Sequence, residues 1–239
     1  MELTQITPVV WQIPFPVGHV HIVRLPDGYA LIDTGVPGSA PTILEALDQL
    51  GGRPQDVRQI VLTHSHGDHM GSAADLVAAT GARVLAGALD APFIRGTAPE
   101  AEPVFTASER ALHEQVMAGL ADAGVPPTKH VPVDIELRDG DTLDGWAEPV
   151  HVLHVPGHTP GSIALHLLCS GVLFTGDIVA TTEGRAILGP FNVDREEAIA
   201  SFRRLAALEV ETVCVPHGEP LMKNGGAVLR AAAPEGDWV

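Results

Sequence analysis

Thr63-His64-Ser65-His66-Gly67-Asp68-His69-Met70-Gly71 is the stretch on which the reading of this chain turns. It follows a short apolar run, Gln59–Thr63, and precedes a helical pattern, Gly71–Thr80, closed by Gly81. Three imidazoles and a carboxylate therefore fall where an expected strand becomes an expected helix. On extended backbone, residues two apart point to one side, so His64 and His66 can grip one ion together. Asp68 and His69 lie one turn on and can reach a second. Imidazole and carboxylate ligands suit zinc, and also iron or manganese. The bland alternative is a polar, solvated, His-rich loop, but histidine is scarce and this order on a strand-to-helix turn is a demanding coincidence.

One run cannot close two metal spheres, so further ligands must come from distant positions at strand ends, in Gly/Pro-rich loops that allow close backbone approach. Three places fit. Val155-Pro156-Gly157-His158-Thr159-Pro160-Gly161-Ser162 holds His158 in a tight loop; Phe174-Thr175-Gly176-Asp177 ends an apolar run on a carboxylate; Val213-Cys214-Val215-Pro216-His217-Gly218 ends another on an imidazole.

Around these positions the pattern predicts strands at Val9–Phe15, Val20–Leu25 and Tyr29–Asp33, then a helix from Ser39. Strands are also expected at Arg83–Ala86, Val131–Leu137, Val150–Val155, Ile163–Leu168, Val172–Thr175 and Thr212–Val215. Two capping boxes, Thr106-x-x-Glu109 and Asp194-x-x-Glu197, open helices reaching about Gly124 and Leu208. Two β-rich halves packed on each other with helices outside is the layered α/β arrangement this implies. No linker divides the 239 residues, so one domain is expected, with an inserted helical segment at about 88–130.

Composition removes several function classes. With 14 Lys+Arg against 30 Asp+Glu the formal charge is −16, and no basic run exists, which argues against a nucleic-acid partner. No apolar run approaches the roughly 18–20 residues that span a bilayer, so no membrane role is expected. The start, Met1-Glu2-Leu3-Thr4-Gln5, lacks a secretory pattern, and the chain reads as cytoplasmic. Cys169 and Cys214, each in an apolar stretch, read as buried reduced thiols.

His64-x-His66-x-Asp68-His69, followed in order by His158, Asp177 and His217, resembles the ligand set of the metallo-β-lactamase superfamily. Leu31-Ile32-Asp33-Thr34-Gly35 resembles that family's early Asp-Thr-Gly motif, and the likeness runs over about residues 9–220. It implies an αββα sandwich with a metal site at one edge between the sheets. Carried over by position, it puts His64, His66 and His158 on a first ion and Asp68, His69 and His217 on a second. Asp177 would bridge both ions, and Asp33 would support the metal-binding loop without touching an ion.

Two zinc ions, with iron or manganese as alternatives, would sit about 3.5–4 Å apart and bring a shared water to a pKa of about 7. The resulting hydroxide would attack the carbonyl of a small lactone, thioester or ester, with Asp68 orienting it and accepting its proton. A bridging Asp177 resembles the dinuclear thioesterases and lactonases of the family and counts against β-lactam hydrolysis, which stays a further alternative as a main or promiscuous activity. A mononuclear iron persulfide dioxygenase, with His64, His158 and Asp177 on the iron, is the principal alternative.

Substrate contacts are less legible. His19, Phe93 and Phe191 are candidates, and Trp146 is a weaker one. His19 and His21 read as a half-exposed strand face. Phe93, Ile94, Phe105, Leu112, Val116 and Met117 would form an apolar lid, pack the inserted helix onto the sheet, or both. The lone tyrosine, Tyr29, belongs to a core strand, and basic residues near the C-terminus are sparse: Lys223 and Arg230, before the acidic tail Glu235-Gly236-Asp237. Oligomeric state is left open.

Overall fold

The computed structural model describes residues 3–236; Met1, Glu2 and Asp237 lie outside them. The first half forms a seven-stranded sheet in sequence order: β1 (Thr4–Thr7), β2 (Val10–Ile13), β3 (Val20–Leu25), β4 (Gly28–Ile32), β5 (Val57–Leu62), β6 (Arg83–Gly87) and β7 (Ile135–Leu137). β1 to β4 are antiparallel neighbours, while β4 to β7 pair in parallel. Parallel pairing needs crossovers. Helix α1 (Ala40–Gln49) supplies the first, and α2 (Gly67–Met70) with α3 (Ala73–Thr80) the second.

The second half forms a sheet of β8 (Val150–His154), β9 (Ile163–Leu167), β10 (Val172–Phe174) and β13 (Thr212–Cys214), in the order β13-β10-β9-β8. A separate hairpin, β11 (Val179–Thr182) with β12 (Arg185–Leu188), stands apart from both. Helices α6 (Arg195–Ala206) and α7 (Gly225–Ala231) follow.

Side-chain alternation along the strands separates three apolar layers. In β4, Tyr29 and Leu31 face the helices α1 and α3 among Ile43, Leu47 and Leu76, while Ala30 and Ile32 face the other way. The inner layer joins the sheets: Ile32, Val61 and Leu85 of the first share it with Val152, Leu165 and Phe174 of the second. The third layer holds Leu173 and Ala164 against Phe202, Leu205 and Leu229 of the outer helices. The order is thus helix, sheet, sheet, helix, as expected.

Local signals hold where they are strongest. Thr106 accepts from the Glu109 N–H and Glu109 from the Thr106 N–H, opening α5 (Ala107–Asp122). Asp194 caps α6 through the Glu197 N–H, and Gly81 ends α3 in the left-handed region.

Several expectations are corrected. The strand foreseen over Val9–Phe15 lies at Val10–Ile13, with β1 added before it. The strand foreseen over 131–137 spans only Ile135–Leu137, and the β11–β12 hairpin was not anticipated. Its turn, Glu183-Gly184, has both residues at positive φ, which Glu rarely signals. His21 is buried rather than half-exposed, with Nε2 3.3 Å from Gln12 Oε1. Cys169 is exposed; only Cys214 is buried, and both are free. Helix α5 does not pack broadly on the sheet: Glu109 is its one buried residue, and Met117 is 51% exposed. Trp146 donates to Gln59 near the start of β5, the end opposite His64, so it is no wall of the cleft.

Candidate metal centre

All seven expected ligands converge at one edge of the sandwich, beyond the carboxyl ends of β5, β10 and β13 and in the β8–β9 loop. β5 delivers Thr63, His64, Ser65 and His66 before α2 begins at Gly67 and carries Asp68 and His69. The loop between β8 and β9 supplies His158, a 3-10 turn after β10 supplies Asp177, and the segment after β13 supplies His217. The two sheets are tied here, since the Ile163 N–H donates to the Thr63 carbonyl at 2.9 Å.

Three side-chain groups present ligand atoms within 4.8 Å of one another: His64, His66 and His158; His64, His69 and Asp177; Asp68, His69 and His217. Asp177 lies between them. Its Oδ2 is 3.4 Å from His158 Nε2, 4.0 Å from His64 Nε2 and 3.2 Å from His217 Nε2, and its Oδ1 is 3.2 Å from His69 Nε2. Asp68 Oδ2 is 3.4 Å from His217 Nε2 and 3.5 Å from His69 Nε2.

Asp33 dictates which atoms of the rings face this centre. It follows β4 at φ 61°, a backbone conformation costly for a non-glycine residue, and is buried. Its carboxylate accepts from the Thr63 N–H and Oγ–H, and from His69 Nδ1 at 2.9 Å. His69 therefore carries its proton on Nδ1 and turns a lone pair on Nε2 toward Asp68 and Asp177. Because Thr63 uses its hydroxyl proton on Asp33, its oxygen is left to accept from His64 Nδ1 at 3.1 Å. His64 then turns a lone pair on Nε2 the same way. Thr34 holds the turn by donating its N–H and Oγ–H to the His69 carbonyl at 2.6 and 2.7 Å.

The result is a buried cluster in which ring nitrogens and carboxylate oxygens face one another. His64 Nε2, His69 Nε2 and Asp177 Oδ1 are buried with no hydrogen-bond partner, and His66 Nδ1 lies 2.9 Å from His158 Nε2. A donor set of imidazole nitrogens and carboxylates so arranged fits a divalent metal. The carboxylates draw positive charge onto this cluster: His69 is opposed by burial, yet Asp177, Asp68 and Asp33 raise it well above its ordinary range. Burial, with the neighbouring His69, holds His64 well below its ordinary range, and burial beside His158 brings His66 down to about 3. His217 is opposed by burial, yet Asp177 and Asp68 push it up to about 10. Burial disfavours the charged carboxylates of Asp68 and Asp177, but the surrounding imidazoles hold both well below the usual carboxylate range.

Of the substrate candidates, His19 reaches the rim. Its backbone N–H donates to the Pro216 carbonyl at 2.8 Å, its Nδ1 accepts from the Phe15 N–H, and burial beside His217 lowers its pKa. Gly18 makes this approach possible, because a Cβ there would lie 2.2 Å from the Asp68 carbonyl oxygen. Phe93 lines a cavity of about 560 Å³ with Ser65, Gly67, Met70, Glu100 and His130, beside His66. Phe191, at φ 65°, meets Phe105 and His113 with ring centroids 5.9 and 5.3 Å away. Its N–H donates to buried Glu109, so α5 is fastened to the segment that follows β12.

Sequence reasoning missed Asp90. It is fully buried after β6 and accepts from the Ser65 N–H at 3.0 Å, Thr159 Oγ–H at 2.7 Å and the Gly161 N–H at 2.7 Å. Its only signal was an aspartate shortly after a strand, which does not separate it from a turn residue.

Known proteins similar to this chain agree with the geometry. A probable metallo-hydrolase of Bacillus subtilis (strain 168), YflN, is 29% identical over 221 residues, 86% of this chain and 82% of its own. A hydroxyacylglutathione hydrolase of Cereibacter sphaeroides is 34% identical over 214 residues, 84% of this chain and 67% of its own. Among solved structures, the metallo-beta-lactamase MIM-1 of Novosphingobium pentaromativorans superposes with a TM-score of 0.71 at 24% identity, over 96% of this chain and 86% of that one. A Cronobacter sakazakii metallo-beta-lactamase carrying HARLDQ-motif substitutions gives 0.68 at 28% identity, over 91% and 80%. Residues 13–217 match the metallo-beta-lactamase superfamily, and on that span the chain belongs to it.

Proposed function

We propose that this chain is a dinuclear metal-dependent hydrolase, with zinc as its native metal, that cleaves a small ester-like carbonyl compound: a thioester, lactone or ester. The observation that carries this reading is Asp177, a carboxylate 3.2–4.0 Å from imidazoles of both ligand groups, His64 and His158 on one side and His69 and His217 on the other. His64, His66 and His158 would hold one ion, and Asp68, His69 and His217 the other, with Asp177 shared. Bound there, the ions supply a water acidified to near neutrality and a Lewis acid for the carbonyl.

The protein's own groups do the rest. Asp68, partly open to solvent beside His217, has a carboxylate placed to accept the proton of the attacking water. Asp33 holds His64 and His69 in the tautomer that offers Nε2. His19 borders the open side next to His217.

The cavity beside His66 supports a reading of substrate charge. Phe93 and Met70 give it an apolar wall, Ser65 and Thr128 add hydroxyls, and its titratable lining residues are Glu100 and His130, with no Lys or Arg. Burial and the fields of Asp90 and Asp68 raise the Glu100 pKa, so this carboxyl and the metal ligand Asp68 sense each other. An uncharged acyl or leaving group suits such a cavity better than the carboxylates of glutathione.

Elemental analysis with turnover on the same sample tests the reading. About two zinc per chain and hydrolysis of neutral thioesters or lactones are expected. One iron per chain with oxygen uptake on a persulfide would make it a dioxygenase instead. Free Cys169 and Cys214 accord with a reducing, cytoplasmic setting.

A further inference from the structure

Asp90 occupies the residue before helix α4 (Ala91–Ile94), a position where aspartate ordinarily accepts from the first turn of its own helix. It does not do so. Its backbone carbonyl takes the Phe93 and Ile94 N–H groups, leaving the carboxylate for residues elsewhere. Oδ2 accepts from the Ser65 N–H, between His64 and His66, and from Thr159 Oγ–H, next to His158. Oδ1 accepts from the Gly161 N–H. Ser162 Oγ lies 2.7 Å from Thr159 Oγ1; because Thr159 gives its proton to Asp90, Ser162 donates to Thr159, and the three form one chain of hydrogen bonds.

The surroundings are shaped for this contact. A Cβ on Gly161 would lie 2.1 Å from Asp90 N and 2.6 Å from Oδ1. A Cβ on Gly87 would lie 1.9 Å from the Gly161 carbonyl oxygen. Both glycines let the His158 loop close onto the carboxylate.

We propose that Asp90 is a positioning residue for the metal site made by His64, His66 and His158, setting the distance between the two loops that carry them. Asp33 orients rings; Asp90 sets loop spacing, which no other side chain bridging Ser65 to Thr159 does among the described residues. The inference rests on reading those three histidines as one site. All three partners are donors, so an acceptor-only group is needed, and an asparagine would aim an NH₂ at one of them.

The test is a metal titration of the stripped chain, with zinc against a chromophoric chelator and cobalt for its ligand-field spectrum, comparing wild type with Asp90→Asn. Substitutions behind a metal ligand weaken binding about 10–100-fold. That loss is expected at one of two sites, with the other unchanged and the cobalt bands of the weakened site altered. Thr159→Val, which removes one of the three bonds, should weaken the same site less and serves if Asp90→Asn does not fold. Equal weakening of both sites, or unchanged affinity and spectrum, would overturn the role. Wild type that binds no metal would instead sink the site itself.

Discussion

His69 Nδ1 donates to Asp33 Oδ2 at 2.9 Å across 36 residues of sequence, and this bond turns the His69 lone pair toward Asp68 and Asp177. The same carboxylate reaches His64 through Thr63. One buried acid therefore sets the tautomer of a ring in each ligand group.

Asp33→Asn should accordingly weaken both metal sites, by about 10–100-fold. Chelator competition on the purified variant measures this, and unchanged affinity at both sites would rule out the tautomer role.

Asp68→Asn should leave the far-ultraviolet circular dichroism unchanged and lower kcat by about 10²–10⁴, the usual contribution of a positioned acid–base group. Turnover at the wild-type rate would remove Asp68 from the proton transfer.

Substrate charge provides a separate check. The enzyme should hydrolyse a neutral thioester more efficiently than the glutathione thioester of the same acyl group. Glu100→Gln should raise kcat/KM on the anionic substrate about threefold at low salt and leave the neutral one unaffected. A preference for the anionic substrate would contradict the cavity reading.

His21 makes stability acid-sensitive. Burial, with a small contribution from His19, lowers its pKa to about 3 in the fold, against 6.5 for the free side chain. Above pH 6.5 both folded and unfolded states hold it neutral. As pH falls below 6.5 the unfolded chain gains a proton the folded chain refuses, so stability declines toward pH 3, by on the order of 3–5 kcal/mol. His21→Gln keeps a donor for Gln12 and should flatten urea-melt stability between pH 6.5 and 4 relative to wild type. Parallel pH profiles would refute this assignment.

Phe202, 1% exposed on the inner face of α6, should cost about 3–5 kcal/mol when truncated to alanine. Denaturant melts would show it. Metal stoichiometry should survive, because the ligands belong to other elements.

Much of this was legible beforehand because the information is local. A histidine-rich strand-to-helix turn announces metal by residue type and spacing alone, and the later ligands stand where apolar runs stop. Capping boxes at Thr106 and Asp194 are read within four residues; the structure closes the first, while at Asp194 only the carboxylate takes the Glu197 N–H and the Asp194 N–H donates to the Gly157 carbonyl. The β11–β12 hairpin was not legible, because its Glu183-Gly184 turn carries a weak signal. The burial of His21 was missed for a different reason. Alternation assigns it a face of β3, but only the packing of the second sheet, with Phe174 5.2 Å away, shows that face to be the interior.

By itself, the sequence determined the layered class, the order of the candidate ligands and the kind of ion such donors suit, since periodicity and donor chemistry belong to short segments. Only the tertiary structure decided that Asp90 joins the loops of Ser65 and Thr159, that His19 stands beside His217, and that Trp146 lies at the far end of β5. Those relations are hydrogen bonds and contacts between residues distant in the chain. They depend on strand register and loop closure, quantities that no window of sequence contains.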